Sequence, residues 1–98
     1  MIIEHGSIKV LSGHEPDFEA AFAEAATVIA QSPGFRFVRI VRGVERSSTY
    51  LLLVGWDTLE DHTVGFRGSD LFAQWRALIG PHFDGAPEVE HYVGDLGL

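Results

Sequence analysis

The sequence predicts a single α+β domain over residues 1–98, in which two helices cover one face of a four-stranded antiparallel sheet. Three observations predict this class. Four short segments are rich in β-branched and aromatic residues, and two others repeat apolar residues every three or four positions. Gly- and Pro-containing turns separate the segments. The resulting order, β-α-β-β-α-β, is that of a ferredoxin-like fold.

The first third of the chain predicts a strand followed by a helix. Residues 2–10 predict the strand, because β-forming residues dominate them up to the Ser12-Gly13 turn. Pro16 and Asp17 then open an amphipathic helix of about 15 residues, since Pro and acidic side chains both suit a first helical turn. Its apolar residues recur at helical steps: Phe18, Ala21, Phe22, Ala25, Ala26 and Ile29. The helix ends before Ser32-Pro33-Gly34.

Two further strands follow, joined by a polar, hairpin-like connection. Residues 35–43 form the second strand, residues 49–56 form the third, and Gly43 to Ser48 connect them. In the third strand, both the odd-numbered and the even-numbered residues are apolar, whereas a strand with one face in water alternates between apolar and polar residues. It is therefore expected to be buried on both faces of the sheet.

A second helical region is predicted from Asp57 onward. Thr58 and Asp61 have the spacing of a capping box, and Asp57 is an alternative N-cap. A second helical piece runs from about Ser69 to Ile79. Glycines between the two pieces weaken the helix there.

The chain closes with a predicted strand that completes the sheet. Gly80-Pro81 stops the second helix, a loop from His82 to Pro87 follows, and Glu88 to Val93 form the last strand. Right-handed crossovers place both helices on one face and make the first and third strands central. The second strand then lies at an edge, where its arginines (Arg36, Arg39 and Arg42, with Arg46 just beyond) are interpreted as edge-guarding charges.

The expected assembly is a homodimer. Helices on one face leave the other face of the sheet uncovered, although the third strand is apolar there too. A large exposed apolar face is a liability in a monomer. Packing a second copy against it through a two-fold interface is the simplest remedy.

Composition excludes several classes of function. The chain has no cysteine, so disulfides, thiolate metal sites and Cys nucleophiles are ruled out. A formal net charge of −7 repels phosphate backbones, so nucleic acid is not an expected partner. No leader segment or long apolar stretch is visible, so no membrane association is expected and the expected location is the cytoplasm.

Common cofactor and metal motifs are missing as well. There is no Gly-x-Ser-x-Gly, phosphate loop or dinucleotide fingerprint, which argues against nicotinamide and ATP enzymes. His5 and His91 are expected on neighbouring strands. Ideal alternation puts both on one face, with Glu4 and Glu90 turned to the other face, but one bulge would reverse this, so their facing stays open. That arrangement leaves too few ligands, so no metal site is predicted.

Several stretches resemble the antibiotic biosynthesis monooxygenase family, and the resemblance covers essentially the whole chain. They are residues 50–56, 59–62 and 66–69, then Phe72 and Trp75, then residues 88–92, together with the Ser32 to Phe35 turn. The resemblance implies a dimeric α+β barrel. Family members include cofactor-independent oxygenases of aromatic polyketides, haem-degrading enzymes and quinol-oxidising proteins, so it implies a pocket more firmly than a reaction.

Two departures from the family pattern bear on the chemistry. Many relatives place a His where this chain has Phe66, and here the His, His62, lies one turn earlier. Haem-degrading members use a His on the following helix, where this chain has Trp75 and Arg76, and an Asn on the first strand, where it has none. The resemblance therefore disfavours haem degradation.

The pocket of such a fold lies between the helices and the sheet, and it is expected to take a small apolar or aromatic ligand. His62 is the candidate general base, because histidine titrates near neutrality, and a hydrogen-bonded helix residue is its alternative interpretation. Arg67 and Arg76 are candidates for stabilising an anion. The expected ligand contacts, each with plain core packing as the alternative, are Phe22, Phe66, Phe72, Trp75, Phe83 and His91.

The leading hypothesis is a small monooxygenase that uses no cofactor and acts on an aromatic or quinol-like compound. Deprotonation makes such a substrate electron-rich, and its anion can then reduce dioxygen. Two alternatives stay open: a non-catalytic dimer that binds a small ligand, and a lactone isomerase or cyclase on the same scaffold.

Overall fold

The element order and the sheet agree with the predicted ferredoxin-like class. A computed structural model describes residues 1–97. Its strands and longer helices are β1 (Ile2–Lys9), α1 (Glu15–Ile29), β2 (Phe35–Arg42), β3 (Thr49–Trp56), α2 (Asp70–Ile79) and β4 (Glu88–Val93). A π-helical segment, Asp61–Phe66, precedes α2, and a 3₁₀ turn, Gly80–His82, follows it. The strands pair antiparallel in the order β2-β3-β1-β4, so β2 lies at an edge as expected.

The core lies between the sheet and the two helices. Tyr50, Leu52, Val54 and Trp56 of β3 face the helices and are between 0 and 4% exposed. Phe18 of α1 packs on Tyr50 with ring centroids 4.7 Å apart. Each large apolar side chain buried in this way stabilises the fold by about 1.5–3 kcal/mol.

The opposite face of the sheet stays partly open in one copy of the chain. Leu51 and Leu53 of β3 point there and keep intermediate exposure. The Phe37 ring of β2 packs over Gly55 of β3, which has no side chain, so the apolar surface extends over two strands. The expected burial of β3 on both faces is thus met on the helix side, and only in part on the other side.

Two of the three arginines of the edge strand β2 lie in surface ion pairs. Arg36 Nε lies 3.3 Å from Asp57, and Arg42 lies 3.3 Å from Glu19 at the side of α1. These side chains are about half exposed, so each pair contributes at most about 1 kcal/mol. Among residues 1–97, no helix is long and apolar enough to cross a membrane.

The turn before α2 begins with the predicted capping box. The Thr58 backbone N–H donates to Asp61 Oδ2 at 3.2 Å, and the Asp61 N–H donates to Thr58 Oγ1 at 3.1 Å. The helix that follows is wider than the expected α-helix, because the Arg67 N–H bonds to His62 O at 3.1 Å, five residues back. Such π-helical turns occur often at functional sites. Here the turn directs His62 and Phe66 inward.

Gly34 leaves the space that the Asp61 side chain of this capping box occupies. Gly34→Ala is therefore expected to destabilise the protein by about 2–4 kcal/mol. Its φ of +83° is strained for any residue with a Cβ, a cost of about 1–2 kcal/mol. An added Cβ would also overlap the Asp61 side chain, which would have to leave Thr58. Chemical denaturation measures the change.

Gly13→Ala is the matched control for that substitution. Gly13 has a φ of +89°, yet nothing lies within 4 Å of the position its Cβ would take. It therefore reports backbone strain alone, and Gly34→Ala is expected to cost more. Equal losses in the two variants would contradict a role for Gly34 in positioning Asp61.

Candidate functional site

A cavity of about 340 Å³ lies between the helical layer and the sheet, where the pocket was expected. Strand β1 forms its floor, the π-helical segment and α2 form one wall, and the loop before β4 closes another. Its lining residues are Glu4, Gly6, Ile8, Leu52, His62, Phe66, Arg67, Phe72, Trp75, Arg76, Ile79, Phe83, Ala86, Pro87 and Val89. Seven of the nine residues predicted for the site are among them.

Phe22 and His91, the other two, do not line the cavity. Phe22 packs edge-on against Trp75 with ring centroids 5.7 Å apart, on the side of the core away from the cavity. His91 lies behind His62, with its Nε2 2.7 Å from His62 Nδ1. Both residues therefore support cavity-lining side chains, and the expected direct contact with a ligand does not follow from their positions.

Glu4, on β1, is the site residue that sequence analysis missed. It is 5% exposed, which is rare for a carboxyl group in a protein core. The Trp56 indole N–H donates to its Oε1 at 3.0 Å, and His62 Nε2 lies 3.3 Å from the same oxygen. Within residues 1–97 no contact engages Oε2, which leaves that oxygen to the cavity.

The strand register explains the omission of Glu4. Glu4 pairs with His91, and His5 pairs with Glu90, so His5 and His91 lie on opposite faces of the sheet. The facing of the two histidines, which the sequence left open, is thus settled by the register: Glu4 shares a face with His91 and not with His5. A local signal was present, because Glu4 has the same parity as Ile8, and both are buried.

His62 is held from three sides and is 2% exposed. Its ring stacks on Trp56 with centroids 5.4 Å apart and an interplanar angle of 15°. Glu4 faces one ring nitrogen and His91 binds the other. We call Glu4, His62 and His91, in this order from the cavity outward, the carboxyl–imidazole array.

Burial sets the protonation of the array. Desolvation, followed by the nearby charges of Arg67 and His91, lowers the pKa of His62 to about 4. Desolvation also raises the pKa of Glu4, against the opposing effects of the Trp56 hydrogen bond and of Arg67. Burial, followed by Arg67, lowers the pKa of His91. His62 is therefore neutral at pH 7, so its contact with Glu4 is not an ion pair.

With Glu4 ionised, one arrangement of donors and acceptors is preferred along the array. The carboxylate attracts a proton on His62 Nε2, which leaves Nδ1 of the neutral imidazole as an acceptor. His91 Nε2 must then be the donor in the 2.7 Å contact. Glu4 lines the cavity, and its Oε2 is free to accept a proton from a molecule bound there.

Two cations border the cavity at different places. Arg67 directly follows the π-helical segment and acts on all three members of the array. Arg76 lies on the last turn of α2, with its guanidinium carbon 5.8 Å from the Phe72 ring centroid. Arg67 is therefore placed to stabilise negative charge beside Glu4, whereas Arg76 has Phe72 as its neighbour.

The array does not have the form of a metal site. In the part of the chain that the structure describes, no group of three or more His, Cys, Asp and Glu side chains could hold a metal ion. Glu4 and His91 lie against different nitrogens of His62, so the three cannot converge on one ion.

The pKa of His62 predicts a pH dependence of stability that is cleanest in a Glu4→Gln variant. The folded state binds the His62 proton more weakly than the unfolded chain, so stability falls as pH decreases from 6.5 towards 4. The expected loss is roughly 3 kcal/mol. In the wild type the raised pKa of Glu4 opposes this trend, because ionisation of Glu4 costs stability as pH rises.

Urea unfolding at a series of pH values measures this effect. Adding His62→Gln to the Glu4→Gln variant is the control, and it is expected to remove most of the slope between pH 4 and 6.5. A slope that survives in the double variant would assign the effect to other groups.

The comparisons with known proteins agree with this architecture. The model of the antibiotic biosynthesis monooxygenase family matches residues 1–78. Uncharacterized protein YczJ of Bacillus subtilis is 40% identical over 92 residues, which cover 94% of this chain and 97% of that protein. A mycobilin-producing heme oxygenase of Mycobacterium tuberculosis is 26% identical over 92 residues, covering 94% and 88% of the two chains.

Solved structures extend the comparison. A candidate antibiotic biosynthesis monooxygenase from Bordetella bronchiseptica superposes with a TM-score of 0.92 and 39% identity, covering 94% of each chain. SnoaB, a cofactor-independent oxygenase from Streptomyces nogalater, has a TM-score of 0.78 over 99% of this chain and 95% of its own, but 16% identity, so it shares the fold alone. By family match, sequence identity and fold, this chain belongs to the antibiotic biosynthesis monooxygenase family.

Proposed function

We propose that this protein is a monooxygenase that needs no cofactor and oxidises an aromatic or quinol-like small molecule, with Glu4 and His62 acting together as the base. One observation carries the proposal. A buried carboxyl group with a raised pKa meets an aromatic-lined cavity and is held by a neutral imidazole. A core that needed only packing has no use for such a costly group.

The first step is removal of a proton from the substrate. Glu4 Oε2 accepts a proton from an activated C–H or phenolic O–H group that lies in the cavity. A carboxyl group with a raised pKa is a stronger base than an ordinary one. The charge of Arg67 beside it stabilises the substrate anion.

The second step is oxidation of the anion by dioxygen. The anion gives one electron to dioxygen, and the two radicals combine to form a C–O bond, which yields a hydroperoxide after protonation. Loss of water then leaves a ketone. The protonated Glu4 supplies the proton of the hydroperoxide, then removes the second proton from the same carbon and passes it to the hydroxide that leaves as the O–O bond breaks. For a ring methylene the balance is R₂CH₂ + O₂ → R₂C=O + H₂O, so the substrate supplies all four electrons.

The aromatic residues provide the surface that such a substrate requires. Phe66 and Trp75 meet edge to face with centroids 6.0 Å apart, and Phe72 closes on Phe66 at 5.5 Å. Faces and edges of this kind hold a planar ring in one orientation. A fixed orientation supports transfer of a proton from one position of the substrate to Glu4.

Haem does not fit this array. Haem ligation by a histidine needs a ring nitrogen with a free lone pair directed at the iron. Both nitrogens of His62 are occupied, one by His91 and the other by the contact with Glu4. The heme oxygenase activity named for the 26% identical relative is therefore not proposed for this chain.

The same proposal includes a homodimer. Leu51, Leu53 and Phe37 make one apolar surface on the sheet face away from the helices. A second copy packed on this face through a two-fold axis would cover it, because each copy presents the same surface to the other. The cavity on the helix side would remain open to its ligand.

Oxygen uptake with a panel of hydroxyanthrones and quinols tests the proposal, with mass spectrometry of products formed under ¹⁸O₂. The expected result is uptake with one labelled oxygen in the product, and a loss of about tenfold or more in His62→Ala. His14→Ala, which removes a histidine outside the cavity lining, is the matched control and is expected to keep the wild-type rate.

Each rival interpretation has its own outcome in this experiment. Product formed under strict anaerobiosis would indicate an isomerase or cyclase. Binding seen as a thermal shift, with no turnover of any compound, would indicate a non-catalytic binder. Uptake that is unchanged in His62→Ala would overturn the role of the array.

A further inference from the structure

We propose that the substrate is an aromatic carboxylate, held with its ionised group at Arg76 and its reacting group at Glu4. This inference rests on the proposed function and specifies the class of molecule that the cavity takes. It follows from the positions of the two cations, from their lack of acidic partners and from the size of the cavity.

The two cations that line the cavity have different neighbours. Arg67 acts on Glu4, His62 and His91 and therefore belongs to the reacting end. Arg76 lies against Phe72 and beside Gly80, at the end of α2. Charge that forms during the reaction has Arg67 as its partner, so Arg76 is available for a charge that the ligand carries permanently.

Neither cation is neutralised by the protein. Within residues 1–97, no carboxylate lies within 4.0 Å of Arg67 or Arg76, whereas Arg36 and Arg42 each have an acidic partner. The chain has 14 acidic residues and 7 basic ones, so acidic partners are abundant. Arg39 and Arg46 also have no carboxylate within this distance, but among the arginines of residues 1–97 it is Arg67 and Arg76 that line the cavity, where their charges attract an anion.

The surroundings of Arg76 favour a planar anion joined to an aromatic ring. Its guanidinium carbon lies over the Phe72 ring, 5.8 Å from the centroid, which is within the range of a cation–π contact. The planar donor fork of an arginine binds a carboxylate through two parallel hydrogen bonds. The aromatic wall of Phe72 and Trp75 then receives the ring to which the carboxylate is attached.

The volume of the cavity limits the size of this ligand. At about 340 Å³ it lies at the lower end of the range of pockets for small molecules, about 300–1,000 Å³. One or two fused rings with a carboxylate at one end and a hydroxyl at the other suit this space. Larger fused systems would project from the cavity mouth.

Fluorescence titration with 6-hydroxy-2-naphthoate and with its uncharged carboxamide tests the inference. The wild type is expected to bind the carboxylate about tenfold or more tightly than the amide, because a charge-assisted pair is lost in the amide. Arg76→Gln is expected to abolish this preference and leave affinity for the amide unchanged. Arg76→Lys is expected to keep part of the preference for the carboxylate. Arg46→Gln, an exposed control in the β2–β3 connection, is expected to bind both compounds as the wild type does.

Failure of this inference and failure of the proposed function give different results. Equal binding of acid and amide by the wild type, or equal weakening of both in Arg76→Gln, would overturn the carboxylate assignment while oxygen uptake by the panel still supports the oxygenase. A strong preference for the carboxylate that depends on Arg76, together with no oxygen uptake, would support this site and overturn the oxygenase.

Discussion

Glu4→Gln is expected to lower kcat for oxygen uptake by about 10²–10⁴-fold, the usual contribution of a general base. Gln has the same shape as Glu and keeps an oxygen for the Trp56 indole N–H, but it cannot take a proton from the substrate. The wild-type rate is expected to rise as pH increases through the raised pKa of Glu4. The variant is expected to lose this rise in its pH–rate profile. Steady-state oxygen uptake across pH measures both effects.

The same variant separates catalysis from folding. The buried Glu4 carboxylate costs stability as pH rises through its raised pKa, so at neutral pH Glu4→Gln is expected to unfold no more easily than the wild type. Glu24→Gln, on the exposed side of α1, is the control and is expected to change neither property. Full activity in Glu4→Gln, or lost activity that merely follows lost stability, would count against the array.

Leu53→Arg is expected to turn the proposed dimer into a monomer. Leu53 lies in the middle of β3 on the open face of the sheet, between Arg39 and His5 of the two neighbouring strands. A two-fold interface would bury the new charge once in each copy, and an uncompensated buried charge costs about 3–5 kcal/mol. The dimer dissociation constant is expected to rise about a thousandfold or more.

Analytical ultracentrifugation of the wild type and of two variants measures this change. Val44→Arg adds the same side chain at a position that is 87% exposed in the β2–β3 connection, and it is expected to remain dimeric. Circular dichroism checks that Leu53→Arg keeps its fold. A wild type that is monomeric in dilute solution, or a Leu53→Arg protein that stays dimeric, would refute the role of the open face.

The elements that sequence alone predicts here are those set by local patterns. The three- and four-residue spacing of Phe18, Phe22 and Ala25 places α1, and the mutual hydrogen bonds of Thr58 and Asp61 form as their spacing predicts. Each of these depends on residues close in the chain. The family resemblance adds the layer of the molecule in which the cavity lies.

The features that sequence analysis missed depend on distant residues. Glu4 meets His91 because β1 and β4 pair in one register, and a shift of one residue would turn every side chain of a strand to the other face. Nothing near either residue in the chain specifies that register. The π-helical turn is similar, since its wider hydrogen bonding, as in the bond from Arg67 N–H to His62 O, is not marked by the spacing of its residues in the sequence.

The central claim is that a carboxyl group shielded from water by an imidazole and an indole takes a proton from the bound ligand. Absorption spectroscopy under anaerobic conditions tests it directly, with a hydroxyanthrone whose neutral and ionised forms differ in colour. At a pH below the pKa of the free compound, the wild type is expected to bind the ionised form and Glu4→Gln the neutral form. A neutral spectrum in the wild type, or an ionised one in both proteins, would contradict the claim.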